Sequence, residues 1–308
     1  MALLAHFAKA EGPFQLTALA YGLAFLAYLA SLWAPAFRDG RDRIHLAARG
    51  LFLAGLVLNA YLLIGRGVDT GRPPFKTYYE ALLCFAFLFG LAAFLVERRG
   101  RARLLGVLSL AILLGALAFA LHKQDLEPVS LPPSLNSGWF LPHAAIYLSA
   151  YASVSVAFVL GLLALGLPGS RAFEPGSFWA RALGAEGVDF EKLHRKWLRL
   201  GFLLLAAGLV TGALWARLAW ADVWAWDPKE NLGLVTLLVY GAVLHMHYAE
   251  GWRGRRLLWG SVLAWGLVLL AFFGMGFLPT RGRSMHRYLE PPRPGEARDL
   301  NGIHPRMY

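Results

Sequence analysis

Three tryptophans and four charged residues crowd the segment Trp220-Ala221-Asp222-Val223-Trp224-Ala225-Trp226-Asp227-Pro228-Lys229-Glu230, which lies between two long apolar runs. Indole rings settle at a membrane surface, and a cluster of them offers a flat shelf for stacking and apolar contact. Histidine supplies the second chemistry, because an imidazole in or beside a bilayer calls for a pairing partner, a metal or a proton path. The chain has nine histidines. His143 opens the fifth apolar run and His286 follows the eighth, both on the side of the tryptophan segment. One imidazole above and one below the ring is what an iron porphyrin takes as axial ligands. Taken singly, such a histidine is more often a polar cap on a helix end; the shared side with the tryptophans adds weight to ligation. His245 lies inside the seventh run, roughly 20 Å below Asn231 at the α-helical rise. It reads as buried, with a hydrogen bond to a neighbouring helix and a metal role both open. His247 is close enough to the other interface to snorkel. His45, His194, His6, His304 and His122 read as solvated or interfacial, with His122 held in reserve for His143.

Positioning these groups falls to apolar helices. The chain has 308 residues, 57% of them hydrophobic and 16% charged, with a mean hydropathy of +0.49, which excludes a water-soluble core as the home of all its apolar side chains. A span needs about 20 residues, and eight runs qualify, near 14–34, 44–65, 76–96, 104–121, 143–167, 197–219, 231–249 and 257–278. They are continuously apolar, unlike the alternating strands of a membrane barrel. The fold class expected is an all-α integral membrane bundle of about eight transmembrane helices. Basic residues follow the first run and no small-residue cleavage site does, so that run is not expected to be a removable signal peptide.

Cations orient the bundle, since short Lys/Arg-rich loops stay in the cytoplasm. Arg38, Arg41 and Arg43 separate runs one and two; Arg98, Arg99, Arg101 and Arg103 separate three and four. Arg171, Arg181, Lys192, Arg195 and Lys196 fall between five and six, and Arg253, Arg255 and Arg256 between seven and eight. Both termini and the tryptophan loop are therefore expected outside. Arg66, Arg72 and Lys76 run against this trend. The formal net charge of +11 is accounted for by orientation in a lipid bilayer, so no nucleic acid is expected. Residues 1–308 are expected to form a single polytopic domain, with an outward loop at 220–230 and an outer tail at 279–308. Asp189 is placed to N-cap a helix with Glu191 in its first turn, running straight into the sixth span. Cys84, the sole cysteine, lies inside the third run, so any thiol chemistry must use a partner's cysteines.

The 220–230 segment, continuing through LVTLLVYGAVLH to GWRG at 251–254, resembles the tryptophan-rich WWD signature of the haem-handling superfamily, in the form found in the CcsA (ResC) family of System II cytochrome c biogenesis. GRPPFKTYYEALL at 71–83, the Trp139, His143 and Tyr147 series, and Ser284-Met285-His286-Arg287-Tyr288 resemble further family segments. Four positions depart from the family pattern: Ala221 where Gly is usual, Val223 for an aromatic, Leu232 for Trp and Thr77 for Asn.

The resemblance implies a membrane haem lyase working with a CcsB (ResB) partner in the cytoplasmic membrane, its site on the outer face. Haem b, as substrate, would enter through a site to which His245 gives a ligand. It would then rest between His143 and His286 as iron ligands, against Trp220, Trp224 and Trp226, with Asp227 and Glu230 beside it. Apocytochrome c would present its CxxCH motif for covalent attachment. No catalytic acid or base is compelling, and Asp227 and Glu230 are equally caps for the seventh span. Two other readings stay open: a haem exporter without covalent chemistry, and a membrane dihaem electron-transfer protein.

Overall fold

The computed structural model describes residues 12–33, 43–100, 102–123, 137–166 and 188–273. Within them lie eight helices and no strand. They are α1 (Gly12–Trp33), α2 (Arg43–Thr70), α3 (Tyr78–Gly100), α4 (Arg103–Lys123), α5 (Phe140–Gly166), α6 (Phe190–Trp220), α7 (Pro228–Tyr248) and α8 (Arg255–Phe273). Helices are what an apolar solvent permits, because each satisfies its own backbone amides. Seven are long and apolar enough to cross a membrane. The exception, α7, has the length of a span at 21 residues, but Asn231, His245 and His247 dilute its apolar run. The molecule is an all-α integral membrane protein, as its composition requires. Its outward faces are apolar: Leu53, Val57, Tyr61, Ile64 and Val68 make an exposed stripe along α2, which lipid solvates.

The tightest helix pair near the candidate site is α5 against α6, and glycine is the reason. A Cβ added at Gly208 would come within 2.5 Å of the Tyr147 ring, and one at Gly212 within 2.8 Å of His143 Cε1. Gly201 meets Val154 equally closely. Small residues let membrane helices approach where no hydrophobic driving force separates them from lipid. The glycine face of α6 therefore sets the depth at which the α5 side chains Tyr147 and His143 lie.

Helix α6 runs 31 residues without a break from its N-cap Asp189, whose carboxylate accepts the backbone N–H of Lys192 at 2.8 Å. The capped segment and the sixth span are one helix, as expected. At its other end the chain turns through Ala221 in the left-handed region at φ 63°. Glycine takes that conformation without strain, a physical reason for the Gly that is usual here in the signature this segment resembles.

Candidate functional site

One end of the bundle gathers the 71–77 connection, the starts of α3, α5 and α7, the ends of α6 and α8, and the tryptophan loop. Between them opens a cleft with about 1050 Å³ of empty space, the solvent at its mouth included. Its walls are largely aromatic, with Phe75, Phe140, Tyr147, Trp215, Trp224 and Phe272 among them.

His143 is the imidazole in that wall. Its ring lies nearly parallel to Trp215, 5.8 Å between centroids at 10°, and 5.4 Å from Tyr147. The Gly208 carbonyl, 2.9 Å away, accepts from Nδ1–H, so Nε2 carries the lone pair that a metal would take. Backbone and two rings thus orient this histidine before any ligand arrives. His143 and Tyr147 belong to the series that resembles a family segment; the i+8 residue Tyr151 extends the same face, 5.1 Å from Tyr147.

The tryptophan loop is braced by its own carboxylates. Glu230 Oε2 accepts from Ala225 N at 2.9 Å and from Asp227 N at 3.2 Å, while Asp227 Oδ1 accepts from Lys229 N at 2.8 Å. Together they form a capping box at the start of α7, and Asn231 Nδ2 donates to the Trp226 carbonyl at 3.0 Å. Asp227 is buried; the primary work of both acids is to fold the loop and cap the helix. Trp224 and Glu230 reach the cleft. Trp220 sits one layer behind, edge-on to Trp215 at 5.0 Å. Trp226 is 72% exposed, with a strained φ of 56°, and meets Trp224 edge-on at 6.1 Å. Lys229, just before the apolar run of α7, also lines the cleft; burial lowers its ammonium from 10.5 to about 8, with Asp227 pulling the other way.

A second acid supports the opposite wall. Glu80 is fully buried and forks with Arg72, Oε2 to Nη1 at 2.8 Å and Oε1 to Nη2 at 2.9 Å, with Arg66 Nε at 3.6 Å. Its Oε2 also accepts from the backbone of Lys76 and Thr77, while Thr77 Oγ1 accepts from Glu80 N. Thr77 and Glu80 therefore make a capping box for α3, and the whole knot holds the segment that places Phe75 and Tyr78 in the cleft. Arg66, Arg72 and Lys76, the cations that ran against the charge rule, are all buried here and so are not free surface charges.

Not every expected residue converges. His245 is exposed on α7, in line with Val235 and Leu238, rather than buried; the buried face of that helix is Thr236, Tyr240, Val243 and Leu244. His247 Nδ1 donates to the Trp252 carbonyl at 2.6 Å. His45 and His194 are buried, not solvated: His45 Nε2 meets Glu97 at 2.7 Å, and His194 Nε2 meets Ser261 Oγ at 2.6 Å. A lone histidine in a basic flank carries no periodic signal that would reveal such a partner. His122 is exposed and outside the cleft lining, and His286 lies outside the described residues. Trp215, Phe140 and Lys229 are cleft residues that sequence reasoning passed over. The position of Trp215 five residues before Trp220 was the available hint.

The family model for "Cytochrome C assembly protein" matches residues 75–281, which takes in both cleft walls and the loop. The cytochrome c biogenesis protein CcsA of Parasynechococcus marenigrum (strain WH8102) is 30% identical, covering 90% of this chain and 97% of its own length. The CcsA of Synechococcus sp. (strain WH7803) is 31% identical over 77% and 83%, respectively. Among solved structures, the cytochrome c haem lyase CcmF superposes with a TM-score of 0.57 at 21% identity, over 86% of this chain and 47% of that one, a likeness of fold. With the family model matched over residues 75–281 and relatives aligned over most of their own length, the chain belongs to the cytochrome c assembly protein family.

Proposed function

We propose that the cleft takes haem b as its substrate, and that the chain carries haem across the cytoplasmic membrane and presents it at the outer face for attachment to the CxxCH motif of apocytochrome c. A CcsB (ResB) membrane partner completes the complex. The observation that carries this reading is a single pre-oriented imidazole, His143, set in a cleft of aromatic rings beneath the tryptophan loop. Flat rings suit a flat macrocycle, and the glycine face of α6 keeps the imidazole where a metal can meet it.

His143 would ligate the haem iron, and His286, outside the described residues, would be the second ligand, as the sequence leads one to expect. Trp224 would offer the stacking surface for the macrocycle, with Trp220 behind it against Trp215 and Trp226 edge-on to Trp224. Asp227 and Glu230 act through the loop they fold. His245 points away from the bundle, which suits a ligand shared with the partner subunit at an earlier station. The attachment step needs no external oxidant: each cysteine thiol adds across a vinyl group, forming a carbon–sulfur bond and passing its proton to the neighbouring carbon. Cys84 takes no part, being buried with its thiol directed at the Pro74 carbonyl. The chain contributes positioning, which replaces a chance encounter of free reactants.

Co-expression with the partner and a CxxCH substrate tests the proposal. Covalent haem on the substrate supports the lyase, whereas haem released without attachment supports an exporter instead. A haem that stays bound and redox-active through turnover supports the electron-transfer reading. His143→Ala and His286→Ala should each abolish maturation, with partial rescue by added imidazole; unchanged maturation in both removes the axial assignment. His245→Ala should lower the haem that co-purifies with the complex.

A further inference from the structure

Lys229 is a cation set against its surroundings. It occupies the first turn of α7, where the positive end of the helix dipole disfavours positive charge. Lys229 is half-buried, and its companions in the cleft are mostly rings and aliphatic groups such as Phe75, Tyr78, Trp215 and Trp224, with Glu230 the one carboxylate in the lining, so that an anion entering the cleft would find a cation at its wall. The nearby carboxylates each give one oxygen to the loop backbone. Asp227 Oδ1 receives the backbone N–H of Lys229 itself, and Glu230 Oε2 receives those of Ala225 and Asp227. Asp227 attracts the ammonium across space, but among the described residues no side chain forms a hydrogen bond or ion pair with it. An ammonium so placed at the cleft wall is available to an anion that enters it.

We propose that Lys229 docks a carboxylate side arm of the planar macrocycle held in the cleft, a propionate if the macrocycle is haem. The inference rests on the haem reading above and extends it. His143 from α5 holds the metal centre and Lys229 from α7 holds the acid edge, so the two residues together set how the ring is turned in its own plane. Stacking on aromatic walls leaves that rotation undetermined. In haem b the vinyl groups lie at the edge away from the propionates. Anchoring the acid edge at Lys229 therefore turns the vinyl edge to the far side of the cleft.

The test titrates the purified full-length chain in detergent with haem b and with its dimethyl ester, following the Soret band. One charge-assisted hydrogen bond predicts that the wild type binds haem b about 10- to 100-fold more tightly than the diester. Lys229→Gln should weaken haem b to the level of the diester and leave the diester unchanged, while Lys229→Arg should keep the preference. Equal affinity of the wild type for both porphyrins, or equal weakening of both by Lys229→Gln, overturns the docking role and leaves the haem reading standing. Absence of a Soret response to either porphyrin removes the haem reading, and this inference with it.

Discussion

His143 and His194 sit at opposite ends of the same helix pair and do opposite things. His143 projects from α5 onto Gly212 of α6; His194 projects from α6 onto Gly161 of α5, where an added Cβ would lie 3.4 Å from its Cδ2. Each imidazole occupies space that a glycine on the facing helix leaves clear. Beyond that they part. His143 gives Nδ1–H to a backbone carbonyl and stands in the wall of an open cleft. His194 is fully enclosed: Ser261, whose hydroxyl donates to the Leu258 carbonyl, accepts from Nε2–H, and Nδ1 has no partner. The same residue type is a ligand candidate at one end and a three-helix rivet at the other. Access to a cavity separates them: His143 is half-buried and open to the cleft, His194 enclosed.

Two carboxylates on α3 repeat the lesson. Glu97, near the end of the helix, is buried between His45 and Arg49 of α2, with Arg49 Nε 2.9 Å from Oε2. Glu80, in the first turn, binds Arg72 and Arg66 and also caps the helix. The Glu97 cluster joins helices; the Glu80 cluster shapes the cleft wall through Phe75 and Tyr78. Buried ion pairs add little net stability, yet breaking one from a single side is expensive.

The sharpest way to break the first comparison is to truncate both histidines. His143→Ala should abolish cytochrome maturation while leaving the thermal midpoint of the detergent-solubilised protein close to wild type. His194→Ala should instead cost about 2–4 kcal/mol from the lost ring volume and the broken bond to Ser261, seen as a lowered midpoint, with haem binding by the surviving folded fraction unchanged. If maturation and midpoint fall together in both variants, the division of roles fails.

Removing one acid of each α3 cluster should cost about 3–5 kcal/mol, because cations are left buried without their counter-charge. Glu80→Ala and Glu97→Ala can be compared by denaturant midpoint and by haem titration. Only Glu80→Ala should also reduce haem affinity of the folded protein. Equal affinity losses in both would show that the Glu80 knot is no closer to the site than its counterpart.

Gly212→Ala sharpens the contrast more gently. Its new methyl group would meet His143 Cε1 and push the imidazole from its place, so haem affinity should drop about tenfold, for a strain of about 1–3 kcal/mol. Gly161→Ala, whose methyl would meet Val262 and His194 at 3.0 Å and 3.4 Å, should lower stability without touching affinity. The smallest effect is expected at Ala221→Gly, which relieves the left-handed strain at the end of α6 and should stabilise the protein by about 1 kcal/mol, read as a small rise in midpoint. No rise would mean that the loop, not the helix cap, sets that conformation.

Membrane residence, eight helices and the aromatic loop were all legible in the chain, because lipid leaves the backbone few choices and runs of apolar residues announce themselves by length. The Asp189 cap and the helix it starts followed from local hydrogen-bonding rules, which depend on neighbours in sequence. His143 and the tryptophans were legible as candidates for the same reason: a polar or amphipathic group at the edge of an apolar run has to be explained. What tertiary structure decided was company. That His245 faces outward, that His194 and His45 are locked to Ser261 and Glu97, that Arg66, Arg72 and Lys76 fold inward on Glu80, and that Trp215 and Lys229 share a cleft with His143, all depend on which helix faces meet. Contacts between residues far apart in the chain leave no periodic mark in it, and in a bilayer the apolar pattern that identifies a helix is nearly the same on its buried and its lipid-facing sides.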